Sequence, residues 1–195
     1  MTRPVIVALH GVGSTDDQMQ AALVSLESVA EVVALAAPQP FDGGGTGRQW
    51  FSVSGITEEN RAARTAAALD ELLPRLDKLA ATRDLPRHEL ILLGFSQGAI
   101  LTLSAVASGA HHGRAVAIAG RLTTNPIVVS AEQAAAVLLV HDADDQMMPS
   151  HLSLAAAGKL AEAGHLVETR STSGVQHSIG LPTVSAISDW LRQDD

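Results

Sequence analysis

The 195-residue chain contains no cysteine, which excludes disulfide bonds, thiolate nucleophiles and cysteine-ligated metal sites. It also lacks tyrosine, and aromatic residues make up only 3% of it, so a substrate pocket must be built mainly from aliphatic and methionine side chains. Only two of its 13 basic residues are lysines, and the net charge is −8. This balance argues against nucleic acid or an anionic membrane surface as a main partner.

Long apolar runs are missing as well. The longest stretches, such as Ala134–Val140, fall far short of the roughly 20 residues that a membrane-spanning helix needs. The N-terminus leads straight into a strand-like run and does not have the pattern of a signal peptide. We therefore expect a cytoplasmic protein without stable membrane insertion, folded as a single domain over residues 1–195, and either a monomer or a homodimer.

Strand-like runs alternate with helix-like segments, a pattern that predicts parallel βαβ units. The predicted strands are Pro4–Leu9, Glu31–Leu35, Leu90–Leu93, Ala115–Ala119, Val137–Val140 and His165–Arg170. Helices are predicted at about Asp17–Ser28, Gln97–Ser108, Pro149–Ala163 and Pro182–Arg192. Another helix should begin after Thr57 and kink or split at Pro74. The glycine-rich segment 41–55 is predicted to be a mobile loop near the active site.

The most informative motif is Gly94-Phe95-Ser96-Gln97-Gly98, which follows an apolar strand and precedes a small-residue helical pattern. A strand that turns sharply into a helix holds its turn residue in strained geometry, and only small flanking residues leave room for the turn. The alternative is a flexible Gly/Ser loop. The flanking strand and helix favour a nucleophile elbow, with the Ser96 hydroxyl exposed at the carboxyl edge of the sheet.

Serine needs a nearby base, usually a histidine that a carboxylate orients. On a fold with a nucleophile elbow, the chain order is serine, acid, histidine. Of the histidines after the elbow, His177 lies in the loop between the last strand and the final helix, where its side chain can reach the carboxyl edge of the sheet. We therefore predict His177 as the general base.

The acid is expected after the strand Val137–Val140, where Asp142, Asp144 and Asp145 compete for the role. A metal site in this cluster is disfavoured, because clustered acids in one loop are more often turn and cap residues. No metal or other cofactor is predicted. Two backbone N–H groups should stabilise the oxyanion, one from Gln97 after the nucleophile and one from Val12 in the loop after the first strand.

Together the motifs resemble the family of small carboxylesterases, lysophospholipases and acyl-protein thioesterases, over nearly the whole chain. The matching segments are Leu9-His10-Gly11-Val12-Gly13, Arg48-x-Trp50-Phe51, Gly94-Phe95-Ser96-Gln97-Gly98, Gly120-Arg121-Leu122 and Gly174-Val175-Gln176-His177-Ser178. The resemblance places the catalytic acid at Asp145. Three departures from the family pattern are Asp142 for a glycine, Met148 for a valine and Ser52 for an aspartate.

The resemblance implies an α/β-hydrolase fold: a compact three-layer sandwich with about six parallel strands, ordered 2-1-3-4-5-6, and no large cap domain. It also implies an open groove that binds a small-molecule ester or thioester with a short- to medium-chain acyl group. The expected substrate contacts are Trp50, Phe51, Leu122, Met147 and Met148. Alternatives are a lysophospholipase or acyl-protein thioesterase acting on longer chains, a lipase or peptidase, and a non-catalytic ligand-binding homologue.

Overall fold

The computed structural model describes residues 3–193, so the two residues at each end of the predicted domain lie outside the described part. Its strands are β1 (Val5–Leu9), β2 (Glu31–Leu35), β3 (Gln39–Pro40), β4 (Arg48–Gln49), β5 (Leu90–Phe95), β6 (Arg114–Ile118), β7 (Ala136–Asp142) and β8 (Leu166–Thr172). Six of them form a parallel sheet in the order β2-β1-β5-β6-β7-β8. This confirms the predicted order of the six sheet strands.

Five α-helices connect or flank these strands within the described chain: α1 (Asp16–Ala22), α2 (Glu58–Ala81), α3 (Gln97–Ala107), α4 (Ser150–Glu162) and α5 (Leu181–Leu191). Residues of β1 alternate between the two faces of the sheet, so that Ile6 packs with α1 and α5, whereas Val7 packs with α2 and α3. Helix α4 packs with α3 over β6 and β7. Because all five helices cover sheet faces, no helix among residues 3–193 caps the carboxyl edge, and the predicted three-layer fold is confirmed.

Two helices differ from their predicted form. The helix expected at about Asp17–Ser28 ends at Ala22, and a 3-10 helix over Val24–Ser28 follows it. Leu26 in this tighter helix and Leu23 directly before it are both fully buried, and their spacing of three residues matches the three residues per turn of the 3-10 helix. Helix α2 is not split at Pro74, because buried leucines on both sides of the proline keep one apolar stripe against the sheet.

The segment 41–55 has defined internal structure. β4, within this segment, pairs antiparallel with β3, which directly precedes the segment. The Asp42 carboxylate accepts hydrogen bonds from the Ser52 hydroxyl at 2.7 Å and from the backbone N–H groups of Val53 and Ser54. Hydrogen bonds from Ser52 and from the Gln49 amide, together with those from the backbone, hold the pKa of Asp42 at about 2. The mobility of the segment stays a prediction.

Candidate active site

Ser96 lies at the turn between β5 and α3, with φ of 53° and ψ of −111°. A positive φ is uncommon for a residue with a side chain and is characteristic of strained functional turns. The flanking glycines are required by space, because a Cβ on Gly94 would lie 2.3 Å from the backbone of Gly98 and one on Gly98 only 2.1 Å from the Leu9 carbonyl oxygen. The backbone is therefore packed too closely at positions 94 and 98 for any side chain there.

His177 bridges the serine and an aspartate. Its Nε2 lies 2.9 Å from the Ser96 Oγ, and its Nδ1 lies 2.7 Å from the Asp145 Oδ2. The Asp145 side chain is fully buried, and its second oxygen accepts from the backbone N–H groups of Met147 and Met148 at 2.9 Å. A carboxylate accepts the proton of Nδ1, which leaves Nε2 free to accept from the serine hydroxyl. This arrangement can remove a proton from Ser96.

The other two aspartates of the acid loop hold the histidine loop without contacting the imidazole. The Asp142 Oδ2 accepts from the Thr172 hydroxyl at 3.0 Å and from the Val175 N–H at 3.2 Å. The Asp144 Oδ2 accepts from the Gly174 N–H at 3.1 Å. The structure therefore separates the three competing aspartates, because only Asp145 reaches the imidazole.

Asp142 has a structural role that was not predicted from the sequence. Burial opposes its ionisation, but backbone N–H groups and the Thr172 hydroxyl surround the carboxylate and together lower its pKa below the usual value. One of these groups is the backbone N–H of Asp144, 3.0 Å from the Asp142 Oδ1. The signal was present in the sequence as the departure from glycine at this position. A charged side chain that is buried is costly unless hydrogen-bond donors or opposite charges compensate it, so an aspartate at this position predicts such partners.

The two backbone N–H groups predicted for the oxyanion have no hydrogen-bond acceptor among residues 3–193. Gln97 is the first residue of α3, where an N–H has no intrahelical partner. Val12 lies in the loop after β1, and this loop runs close to the nucleophile, since a Cβ on Gly11 would lie 3.3 Å from the Ser96 Cβ. Neither N–H is engaged by another described group, so the Gln97 N–H next to the serine and the Val12 N–H in the adjoining loop stay candidates for the oxyanion.

The Gln97 side chain fixes the segment that contains Trp50 and Phe51. Its amide nitrogen donates to the Phe51 carbonyl and its amide oxygen accepts from the Trp50 N–H, both at 2.8 Å. The Trp50 indole donates to the His10 carbonyl at 2.9 Å. One residue thus supplies a backbone N–H beside the serine and a side chain that braces the neighbouring loop, a second role that the sequence reasoning did not identify.

The five predicted substrate contacts are distributed between core and surface. Trp50 and Phe51 are 0% and 4% exposed, and pack in the core with α2 and α3. Met148 packs against the same core cluster, and Leu122 packs against the cluster of α3 and α4. Met147 is 76% exposed beside the acid loop. The buried aromatic pair therefore shapes the site by supporting its loops, and Met147 offers the open apolar surface.

The remaining late histidines do not join this arrangement. His165 accepts from the Ala135 N–H at 3.1 Å, at the amino end of β7. His141 is buried, and burial lowers its pKa. His151 is exposed on α4. Among residues 3–193, no group of three or more histidine, aspartate or glutamate side chains is arranged to hold a metal ion.

The parallel sheet, the strained serine between strand and helix, and the histidine loop after the last strand define the α/β-hydrolase class. The model of the phospholipase/carboxylesterase family matches residues 1–194, and the chain belongs to this family. It is 30% identical over 192 residues to esterase YpfH of Escherichia coli K12, covering 96% of this chain and 82% of that protein. The chain is thus a carboxylesterase-type hydrolase.

Solved structures agree in fold. The structure of esterase PE8 superposes with a TM-score of 0.83 at 26% identity, covering 98% of this chain and 93% of that one. Acyl-protein thioesterase 2 of Zea mays superposes with a TM-score of 0.77 at 23% identity, with the same two coverages. No helix within residues 3–193 has the length and apolar character needed to cross a membrane.

Proposed function

We propose that the protein hydrolyses esters or thioesters of short- to medium-chain acyl groups through Ser96, His177 and Asp145. The observation that carries the proposal is the continuous pair of contacts on His177, 2.7 Å to Asp145 and 2.9 Å to Ser96. The alternative of a non-catalytic homologue does not explain why a strained serine hydrogen-bonds to an imidazole that a buried carboxylate holds, directly before an unengaged N–H at the start of α3.

In the acylation step, His177 takes the proton of the Ser96 hydroxyl while the serine oxygen attacks the substrate carbonyl carbon. The carbonyl oxygen gains negative charge, and the N–H groups of Val12 and Gln97 donate to it. Asp145 keeps the Nδ1 proton in place and stabilises the imidazolium that forms. When the tetrahedral intermediate collapses, Nε2 gives its proton to the leaving oxygen or sulfur.

In the deacylation step, water takes the place of the leaving group. His177 removes a proton from the water as it attacks the acyl-enzyme carbonyl, and the same two N–H groups stabilise the second oxyanion. The collapse returns the proton to the Ser96 oxygen and releases the carboxylic acid. Every group is then in its starting state, and no cofactor is consumed.

Substrate size follows from the absence of a helical cap over the described carboxyl edge. Each buried methylene contributes up to about 0.8 kcal/mol, and an open groove buries only the first few. We expect catalytic efficiency to peak at acyl chains of about four to eight carbons. Lysophospholipase or acyl-protein thioesterase activity on longer chains is the second candidate, and the exposed Met147 at 76% is the surface that would favour it.

A chain-length series of nitrophenyl esters and acyl thioesters tests the proposal. Wild-type protein should hydrolyse short and medium chains, and Ser96→Ala should lose several orders of magnitude in turnover, because only oxyanion binding remains. Ser185→Ala, an exposed serine on α5, is the matched control and should behave as wild type. Activity of Ser96→Ala within about tenfold of wild type would contradict the proposal, and a profile still rising at sixteen carbons would favour the second candidate.

A further inference from the structure

A small open cleft lies between α1 and the histidine loop, on the face of the sheet that α1 and α5 cover. Its volume is about 180 Å³. It is lined by Gly11, Ser14, Gln18, Met19, Ala22, Phe95, His177, Ser178 and Ile179. None of the five substrate contacts predicted from the sequence lies among these residues, so the cleft is a separate feature of the site.

Three of the residues that line the cleft contact Ser96 or lie next to it. His177 lies 2.9 Å from the Ser96 Oγ, and the Phe95 ring packs against the imidazole with 5.0 Å between ring centroids. Gly11 passes so close that a Cβ there would lie 3.1 Å from the Phe95 ring and 3.3 Å from the Ser96 Cβ. A group bound in this cleft would therefore be next to the bond that is cleaved.

The chemistry of the imidazole indicates which part of the substrate would occupy the cleft. His177 must donate a proton to the leaving oxygen, so that oxygen has to come within hydrogen-bond reach of Nε2. The body of the leaving alcohol then extends into space bordered by the same imidazole. We infer that this cleft is the subsite for the leaving alcohol, an inference that rests on the proposed function of Ser96 and His177.

The lining also indicates the kind of alcohol. Met19, Phe95 and Ile179 form apolar walls, and an apolar cavity of about 150 Å³ in another protein holds benzene, so a body of about six non-hydrogen atoms or fewer fits. The Ser14 hydroxyl donates to the Gln18 amide oxygen at 2.9 Å. Within residues 3–193, the Gln18 amide nitrogen and the Ser178 hydroxyl have no hydrogen-bond partner. The subsite thus suits short alcohols that carry a second hydroxyl.

Filling the cleft tests its assignment. Ala22→Phe places a ring in the cleft from an exposed helix position, and Ala21→Phe on the exposed surface of the same helix is the matched control. With one acyl group, butyrate, we expect Ala22→Phe to lower kcat/KM for the butyl ester at least tenfold more than for the methyl ester. Ala21→Phe should leave both values as in wild type, and the acyl-chain profile of methyl esters should keep its shape in both variants.

The polar rim is tested with an isosteric pair, propyl butyrate and 2-hydroxyethyl butyrate. Wild type should prefer the hydroxyethyl ester by about three- to tenfold, the range of one hydrogen bond, and Gln18→Leu should remove that preference. The inference is overturned if Ala22→Phe changes the acyl-chain profile instead, if it affects all alcohols equally, or if it has no effect. These outcomes are separable from failure of the proposed function, which would appear as activity in Ser96→Ala.

Discussion

The two sides of the reacting serine are held in different ways. On the histidine side, the loop that carries His177 is fixed by the carboxylates of Asp142, Asp144 and Asp145. On the oxyanion side, the loops are held by the Gln97 amide, the Trp50 indole and backbone groups, with the Arg48 guanidinium donating to the Ala37 and Pro38 carbonyls. On the first side the carboxylates bond to the histidine loop and to the imidazole itself. On the second side the Asp42 carboxylate bonds to Gln49 and to residues 52–54, and Trp50 and Phe51 are held by amide, indole and carbonyl groups.

The charge that each side accommodates in the proposed reaction accounts for the difference. In the proposed mechanism the imidazole becomes positive when it takes the serine proton, and carboxylates nearby favour that state. In the same mechanism the substrate oxygen becomes negative beside the N–H groups of Val12 and Gln97, where a carboxylate would oppose the charge. On that side His10 accepts from the Ala37 N–H at 3.1 Å, and burial lowers its pKa, which favours the neutral ring.

The largest expected effect on turnover comes from a substitution on the histidine side. Asp145→Asn keeps the shape but presents an amide to Nδ1, which favours the wrong imidazole tautomer. We expect turnover to fall by about 10³ to 10⁴ with little change in fold. Steady-state kinetics on a nitrophenyl butyrate ester measure this, with circular dichroism as the check on folding. A loss below tenfold would mean that Asp145 does not orient the base.

The next largest effect is expected from a substitution on the oxyanion side. Gln97→Ala keeps the backbone N–H but removes two hydrogen bonds, each worth about 1 kcal/mol, that hold the segment of Trp50 and Phe51. We expect kcat to fall about 10- to 100-fold. Gln133→Ala, on an exposed helical turn, is the control. Unchanged kcat in Gln97→Ala would show that the Trp50 indole alone suffices to fix the loop.

A smaller effect on turnover is expected from a substitution of Asp142, which holds the histidine loop without contacting the imidazole. Asp142→Asn turns one acceptor oxygen into a donor that faces other donors, so the histidine loop loosens while Asp145 stays in place. We expect about a tenfold fall in kcat with little change in KM. Asp144→Asn, which lies on the exposed side of the loop, should cost less. The reverse ranking of these two variants would contradict the assignment of Asp142 as the brace.

The smallest effect concerns pH and stability. The pKa of Asp142 is lower in the folded protein than in the unfolded chain, so its contribution to stability is present above the unfolded value near pH 4 and is lost as pH falls through the folded value. We expect the Tm to decrease below about pH 4, with a shallower decrease in Asp142→Asn. Parallel curves for the two proteins, measured by calorimetry, would count against this contribution.

The six strands, the elbow and the histidine loop followed from patterns along the chain, because strand alternation and the order of catalytic groups are local or sequential signals, whereas the order of the strands in the sheet followed from the family resemblance. The residue pattern alone left three aspartates open, since a turn can present any of them; the family resemblance pointed to Asp145, and this is the carboxylate that lies at hydrogen-bond distance from the imidazole. Nor could a motif reveal orientation: Trp50 and Phe51 match the family pattern, yet their side chains face the core. The Asp142 brace is a contact between segments 30 or more residues apart.

The assignment of Ser96 as the nucleophile is tested most directly by covalent labelling with a fluorophosphonate probe, followed by intact-mass measurement and peptide mapping. We expect one adduct per chain, located on Ser96, and a labelling rate that falls sharply in His177→Ala because the serine is no longer activated. An adduct on a different serine, or equal labelling of Ser96→Ala and wild type, would contradict the account.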